Sequence, residues 1–141
     1  MGKYDELNVC FNLDTETPKE VVYILHSLID GSDEPTVLPE HDFFKCDRWQ
    51  AIACCDSYSF AGSTSSKMIY DAIISAWKIN IRSNLKNYDS EIEKFLDWIV
   101  PYIGTNGFIG YTRSEDDDDP TLVYIEDGAV VFKNVEFDEA E

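Results

Sequence analysis

Two groups of residues in this sequence carry its chemical potential. The first is a set of thiols and imidazoles: Cys10, His26, His41, Cys46, Cys54 and Cys55. The second is five consecutive carboxylates, Glu115, Asp116, Asp117, Asp118 and Asp119, closed by Pro120. A thiol beside an imidazole can become a nucleophile, and closely spaced thiols and imidazoles can hold zinc. Carboxylates in a row can bind calcium, imitate a phosphate backbone, attract a cationic protein or simply stay in water.

The thiol and imidazole set gives a weak pattern. His41, with Glu40, Asp42 and Cys46, forms the only cluster of His, Cys and acid. Zinc favours paired spacings such as Cys-x-x-Cys, and none occurs. Cys54 and Cys55 are adjacent, so in a strand they would point to opposite faces. His26 falls beside the apolar stripe of a helix and reads as a structural histidine. A nucleophile pair of Cys46, Cys54 or Cys55 with a histidine has no local motif behind it. No glycine-rich phosphate loop, HExxH or GxSxG is present either. The sequence therefore assigns no catalytic residue, no cofactor and no metal, and the expectation is a protein that is not an enzyme.

The acidic run fails the calcium pattern. Counted from Asp116, the sixth position is Thr121 where a glycine is required, and the twelfth is Asp127. A solvated turn suits Asp and Pro. A protein-binding edge suits the charge. On an extended chain, same-face carboxylates repeat about every 6.6–6.8 Å, roughly twice the axial phosphate rise of one DNA strand. Glu126 and Asp127 would have to join the run to widen such a surface, along with the acids of the last residues.

Net charge is −17, and it is unevenly spread. Residues 1–60 carry 12 acids and 4 bases, residues 61–110 carry 5 of each, and residues 111–141 carry 11 acids against Arg113 and Lys133. Such a field repels nucleic acid and anionic membranes and speeds encounter with basic surfaces. A basic stripe, Lys78, Arg82 and Lys86, lies on one strand near aromatic residues. It would suit single-stranded RNA, but the RNA-binding aromatic motif is absent and the total charge opposes it.

The elements that must position these groups follow from periodicity. Leu7, Val9, Phe11 and Leu13 alternate with polar residues over 5–13, which predicts a strand. Thr17-Pro18-Lys19-Glu20 predicts a capped helix start, and Val21, Ile24, Leu25, Leu28 and Ile29 extend it over 18–30 to Gly31. Residues 31–48 read as a long loop. Trp49 to Phe60 is rich in strand formers. Trp77, Ile79, Ile81 and Leu85 alternate with polar residues in a further strand, while 68–76 fits either strand or a short turn. Ser90 and Glu93 suggest a capping box for a second helix carrying Ile92, Phe95, Leu96, Ile99 and Ile103, with a kink or a looser last turn at Pro101. Strands flank the acidic run at 108–113 and 121–125, and Asp127-Gly128 predicts a tight hairpin into 129–132.

Apolar residues make up 44% of the chain, enough for a core in one domain spanning 1–141, with an acidic region at 111–141. The fold class expected is α+β: a two-layer sandwich, with a mainly antiparallel sheet of four to six strands and two helices on one face, ferredoxin-like or a close relative. The start of the chain lacks the apolar core of a signal peptide, and no apolar run approaches the length of a membrane span. A cytoplasmic protein is expected. The function expected is a non-enzymatic acidic binding or inhibitor protein of the phage-inhibitor or immunity-protein type. It would dock on a basic surface of a partner protein, such as a nucleic-acid-binding protein whose ligand it mimics, without contacting nucleic acid or membrane itself. Its contacts would be Glu115, Asp116, Asp117, Asp118, Asp119, Glu126 and Asp127. The alternative is a small-ligand-binding domain or small enzyme using the open sheet face or the region from His41 to Cys55.

Overall fold

The computed structural model of the chain describes residues 3–31, 35, 37–55, 57 and 65–135. It contains β1 (Asp5–Asn12), α1 (Lys19–Asp30), β2 (Lys67–Asp71), β3 (Ala76–Leu85), α2 (Glu91–Ile99), β4 (Gly107–Ser114), β5 (Thr121–Glu126) and β6 (Ala129–Asn134). The six strands form one sheet in the order β2-β3-β1-β4-β5-β6, and every neighbouring pair is antiparallel. The class is α+β. No helix among the described residues is long and apolar enough to cross a membrane.

The period-two pattern of β1 sets the faces. Leu7, Val9 and Phe11 are buried and stand opposite Ser83, Ile81 and Ile79 of β3. They join Val123 and Ile125 of β5 and the stripes of both helices in one apolar cluster. The intervening residues, including Asn8, Cys10, Lys78, Asn80 and Arg82, point the other way and keep contact with water.

Gly110 lets the two central strands approach. A β-carbon there would come within 1.9 Å of the Asn8 carbonyl oxygen. The register between β4 and β5 also shifts between Phe108 and Gly110. This bulge turns Phe108 outward on the same face as Tyr111 and Arg113. Tyr111 and Arg113 share the face of Lys78 and Arg82.

Three local expectations are corrected. The described part of Trp49 to Phe60 is no strand; Trp49–Ala51 is a 3₁₀ turn continued by a turn to Cys54. Trp49, Ile52 and Ala53 are buried while Gln50 and Cys54 are exposed, a spacing of three and four that follows a helical period. Phe43, Phe44, Trp49, Phe95 and Trp98 pack edge-on and stacked, with Phe44 and Trp98 centroids 5.0 Å apart. That aromatic contact with α2 outweighs the local strand preference. The strand that precedes β3 is instead β2, which starts at Lys67 and takes up the first part of the stretch 68–76.

The second correction concerns the helix starts. Thr17 does not cap α1; its hydroxyl donates to the Asp14 carbonyl at 2.6 Å. Ser90 does not cap α2 either, because it sits at φ 56, in the left-handed region. Asn87 performs that role: its side-chain oxygen accepts from the Ile92 N–H at 2.9 Å, and its amide donates to Glu93 at 3.0 Å. The third is the end of α2: the helix stops at Ile99, short of Ile103, while Pro101 gives the looser last turn expected, a 3₁₀ turn over Val100–Tyr102. The αL stop at Gly31 and the Asp127-Gly128 turn match expectation; Asp127 at φ 52 and Gly128 at φ 76 fit the tight hairpin turn that strand twist favours.

Candidate interaction surface

The acidic run occupies the connection between β4 and β5, and Glu115 to Asp119 are all exposed. It is not a slack loop. The Glu115 N–H donates to the Tyr4 carbonyl at 3.0 Å, and the Tyr4 N–H donates to Glu115 Oε1 at 2.8 Å. Glu115 thereby adds a rung to the β1–β4 ladder. The Asp117 N–H closes a turn onto the Ser114 carbonyl at 2.9 Å, and Arg113 donates to the Asp117 carbonyl at 3.2 Å. Asp116, Asp117, Asp118 and Asp119 line an open hollow with Pro120, Thr121, Asn134 and Val135.

Antiparallel pairing brings further acids to this end of the sheet. Asp5 lies opposite Ser114. Its carboxyl is held above the ordinary carboxylate range, first by burial and then by the negative charges of Glu93 and Asp117; Asn87 and Ser114 hydrogen bonds partly offset that. Glu93, in the first turn of α2, therefore belongs to the same electrostatic neighbourhood. Lys3 answers it locally. Its ammonium pairs with Asp116, and that bond together with the charges of Glu115 and Asp117 raises its pKa. Asp117, Asp118 and Asp119 make no ion pair among the described residues.

Glu126 and Asp127 are not brought to this end. They sit at the far end of β5, six residues of strand or roughly 20 Å away. Glu126 is engaged by Lys133 at 2.6 Å. Two acidic poles thus occupy opposite ends of one strand. The acids beyond Val135 lie outside the described residues.

The other candidates resolve into local contacts. His41 Nδ1 accepts from the Phe43 N–H at 3.0 Å, so in the neutral ring Nε2 carries the proton and donates to Asp97 Oδ2 at 2.9 Å. Both nitrogens are occupied in starting the 3₁₀ turn Asp42–Lys45 and tying it to α2. The Cys46 thiol is buried, lies within 3.8 Å of the Asp42 and Asp89 carbonyls, and burial pushes its pKa up. Cys54 donates to the Gln50 carbonyl and is likewise pushed up by burial. Neither is poised as a thiolate. His26 pairs with Asp30 at 3.2 Å and packs edge-on against Trp77. No three His, Cys, Asp or Glu side chains among the described residues converge to hold a metal ion.

On the open sheet face the cations are largely answered. Lys78 lies 3.5 Å from Asp71, and Arg113 lies 3.7 Å from Glu6. Lys86 lies past the end of β3, over the Tyr4 ring at 5.5 Å.

No protein-family model matches the chain, and no curated protein or solved structure matches it either. The surface has to be read from its own chemistry.

The contributions of Asp5 and Glu93 were missed by sequence reasoning. Only a prediction of the β1–β4 pairing would have found Asp5 beside the run. The acids of the first turn of α2 were visible, but as a helix-dipole feature alone.

Proposed function

We propose that this chain is a non-enzymatic, acidic binding protein that docks on a basic surface of a partner protein. The carrying observation is the pinned turn: Glu115 is clipped to Tyr4 on both its backbone and its side chain, and the following four aspartates are exposed, with only Asp116 ion-paired, to Lys3, among the described residues. Fixing like charges side by side raises their repulsion, so folding alone gains nothing from the arrangement. A cationic partner relieves it. Preorganised charges also lose less entropy on binding than charges on a floppy tail.

The contact centres on Glu115 to Asp119. Glu126 and Asp127 form a second point on a partner groove long enough to reach both poles. A span of roughly 20 Å corresponds to about six phosphates of one strand, which supports a nucleic-acid-like presentation toward a nucleic-acid-binding partner. An inhibitory role and a cytoplasmic location belong to this same reading. The strand order β4-β1-β3-β2, with helices following β1 and preceding β4, supports a two-layer, ferredoxin-like sandwich extended by β5 and β6.

The test is affinity capture from the native host, followed by titration of the captured partner against salt. Affinity is expected to fall steeply as salt rises, and a chain with Asp116, Asp117, Asp118 and Asp119 all changed to Asn should bind weakly yet fold normally. Equal binding at low and high salt overturns the proposal.

A second reading keeps a small-ligand site in the His41–Cys55 region. It is favoured by one cleft of about 100 Å³ lined by Tyr4, Arg48, Ala51, Cys55, Leu85, Lys86 and Glu91. Two cations and a volume of that size suit one small anion. Amide shift mapping with phosphate and acetate checks it; absence of shifts at Arg48 and Lys86 removes it.

A further inference from the structure

We propose that two copies of this chain associate through β2, edge to edge and antiparallel, about a twofold axis at Ile69. β2 ends the sheet; it pairs with β3 over five regular rungs, and no strand among the described residues takes its other side. Exposed edges are usually blunted by short length, charged side chains such as Lys, proline or bulges. Lys67–Asp71 is short and charged at both ends, but the two charges are opposite in sign and the strand has no proline, no glycine and no bulge. It also lies beside unusual apolar exposure: Ile69 is 58% exposed, Tyr70 49%, Ile73 95% and Ile74 42%.

The order of side chains selects the occupant. Lys67, Ile69 and Asp71 share one face of the strand, and Met68 and Tyr70 share the other. A second copy running antiparallel through Ile69 sets Lys67 opposite Asp71 of its mate, twice. Ile69 then meets Ile69, and Met68 meets Tyr70, also twice. This self-complementarity is what a twofold interface requires. A parallel copy would instead oppose Lys67 to Lys67 and Asp71 to Asp71.

Charge distribution permits the approach here and opposes it at the other edge. Residues 61–110 carry five acids and five bases. β6, by contrast, leads in sequence to Glu136, Asp138, Glu139 and Glu141. Joining at β2 leaves the two 115–119 turns about eight strand spacings apart, roughly 38 Å, several times the Debye length of about 8 Å at physiological salt. The strongly charged ends therefore do not forbid the pair.

Sedimentation velocity of the full chain from low micromolar to submillimolar concentration tests the proposal. The wild type should shift from one to two copies as concentration rises. Lys67→Glu places carboxylate against carboxylate at both symmetric points and should raise the dissociation constant at least tenfold. Ile69→Lys, on an exposed site, should abolish the pair. Asp71→Lys should also prevent it alone, yet an equimolar mixture with Lys67→Glu should restore it, because both cross-strand pairs are again opposite in sign. Should Asp71→Lys fail to fold, since Asp71 also accepts from the Ile73 N–H at 2.9 Å, the first two variants decide. A wild type that stays single throughout overturns the proposal. So does a pair indifferent to Lys67→Glu and Ile69→Lys.

Discussion

The acidic turn and the β2 edge are both exposed, and they are opposites in what they expose. Residues 115–119 display charge and carry no apolar side chain, anchored by backbone hydrogen bonds. Residues 67–74 display Ile69, Tyr70, Ile73 and Ile74, with Lys67 and Asp71 balancing in sign. The first invites long-range, salt-sensitive capture. The second invites short-range contact that depends on shape and register. One molecule can use both at once because two strands, β3 and β1, lie between β2 and β4, from which the acidic turn leaves.

The frame that holds the two regions apart gives the largest expected effect. Gly110→Val drives a side chain into the Asn8 carbonyl and should destabilise the fold by about 3 kcal/mol or more, read as a lower midpoint in urea denaturation. A tolerated valine would mean that β1 and β4 are not so closely joined. Next comes the charge itself. Each exposed charge contact contributes on the order of 0.5–1 kcal/mol, so changing Asp116 to Asp119 to Asn should weaken partner binding roughly 30- to 1000-fold. The same variant should leave self-association through β2 unchanged, whereas Ile69→Lys should do the reverse. A variant set that moved both properties together would erase the distinction.

Smaller effects probe the acidic end from beneath. Asn87→Ala should cost about 1 kcal/mol through loss of the α2 cap, and Ser90→Ala much less; thermal melts compare the two. Asp5 supplies a pH signature. Its folded pKa lies above the unfolded one, so ionisation opposes folding: the destabilisation is absent below the unfolded value near pH 4 and develops as pH rises through the folded value. Asp5→Asn should therefore stabilise the protein at neutral pH by less than about 1 kcal/mol, given partial exposure, with the gain fading on acidification below about pH 4. A gain that persisted at low pH would point to packing instead of charge.

Much of this arrangement is legible in the sequence where a period is long and unbroken. β1, β3 and α1 follow their apolar spacing, and Asp127-Gly128 marks its own turn. The acidic run is legible as an exposed connection for the same reason: five like charges cannot be buried. Legibility fails where distant residues decide. Trp49 to Cys54 carries strand-forming residues, yet the rings of Phe44 and Trp98 draw it into turns. Both capping residues chosen by local rules lose to neighbours fixed by other contacts: Thr17 to the turn at Asp14, and Ser90 to Asn87. The site divides in the same way. Nothing local reveals that Asp5 and Glu93 flank the aspartates, or that Glu126 and Asp127 stand a strand's length away; both follow from pairing.

Lys3 and Val135 both border the acidic turn. A cationic peptide inserted next to either residue would lie beside those carboxylates. A polyhistidine handle, cationic in mild acid, would then compete for them and masquerade as a weak competitor in every binding assay. The same handle inserted at the Asp127-Gly128 turn would sit at the opposite pole and leave the acidic turn clear.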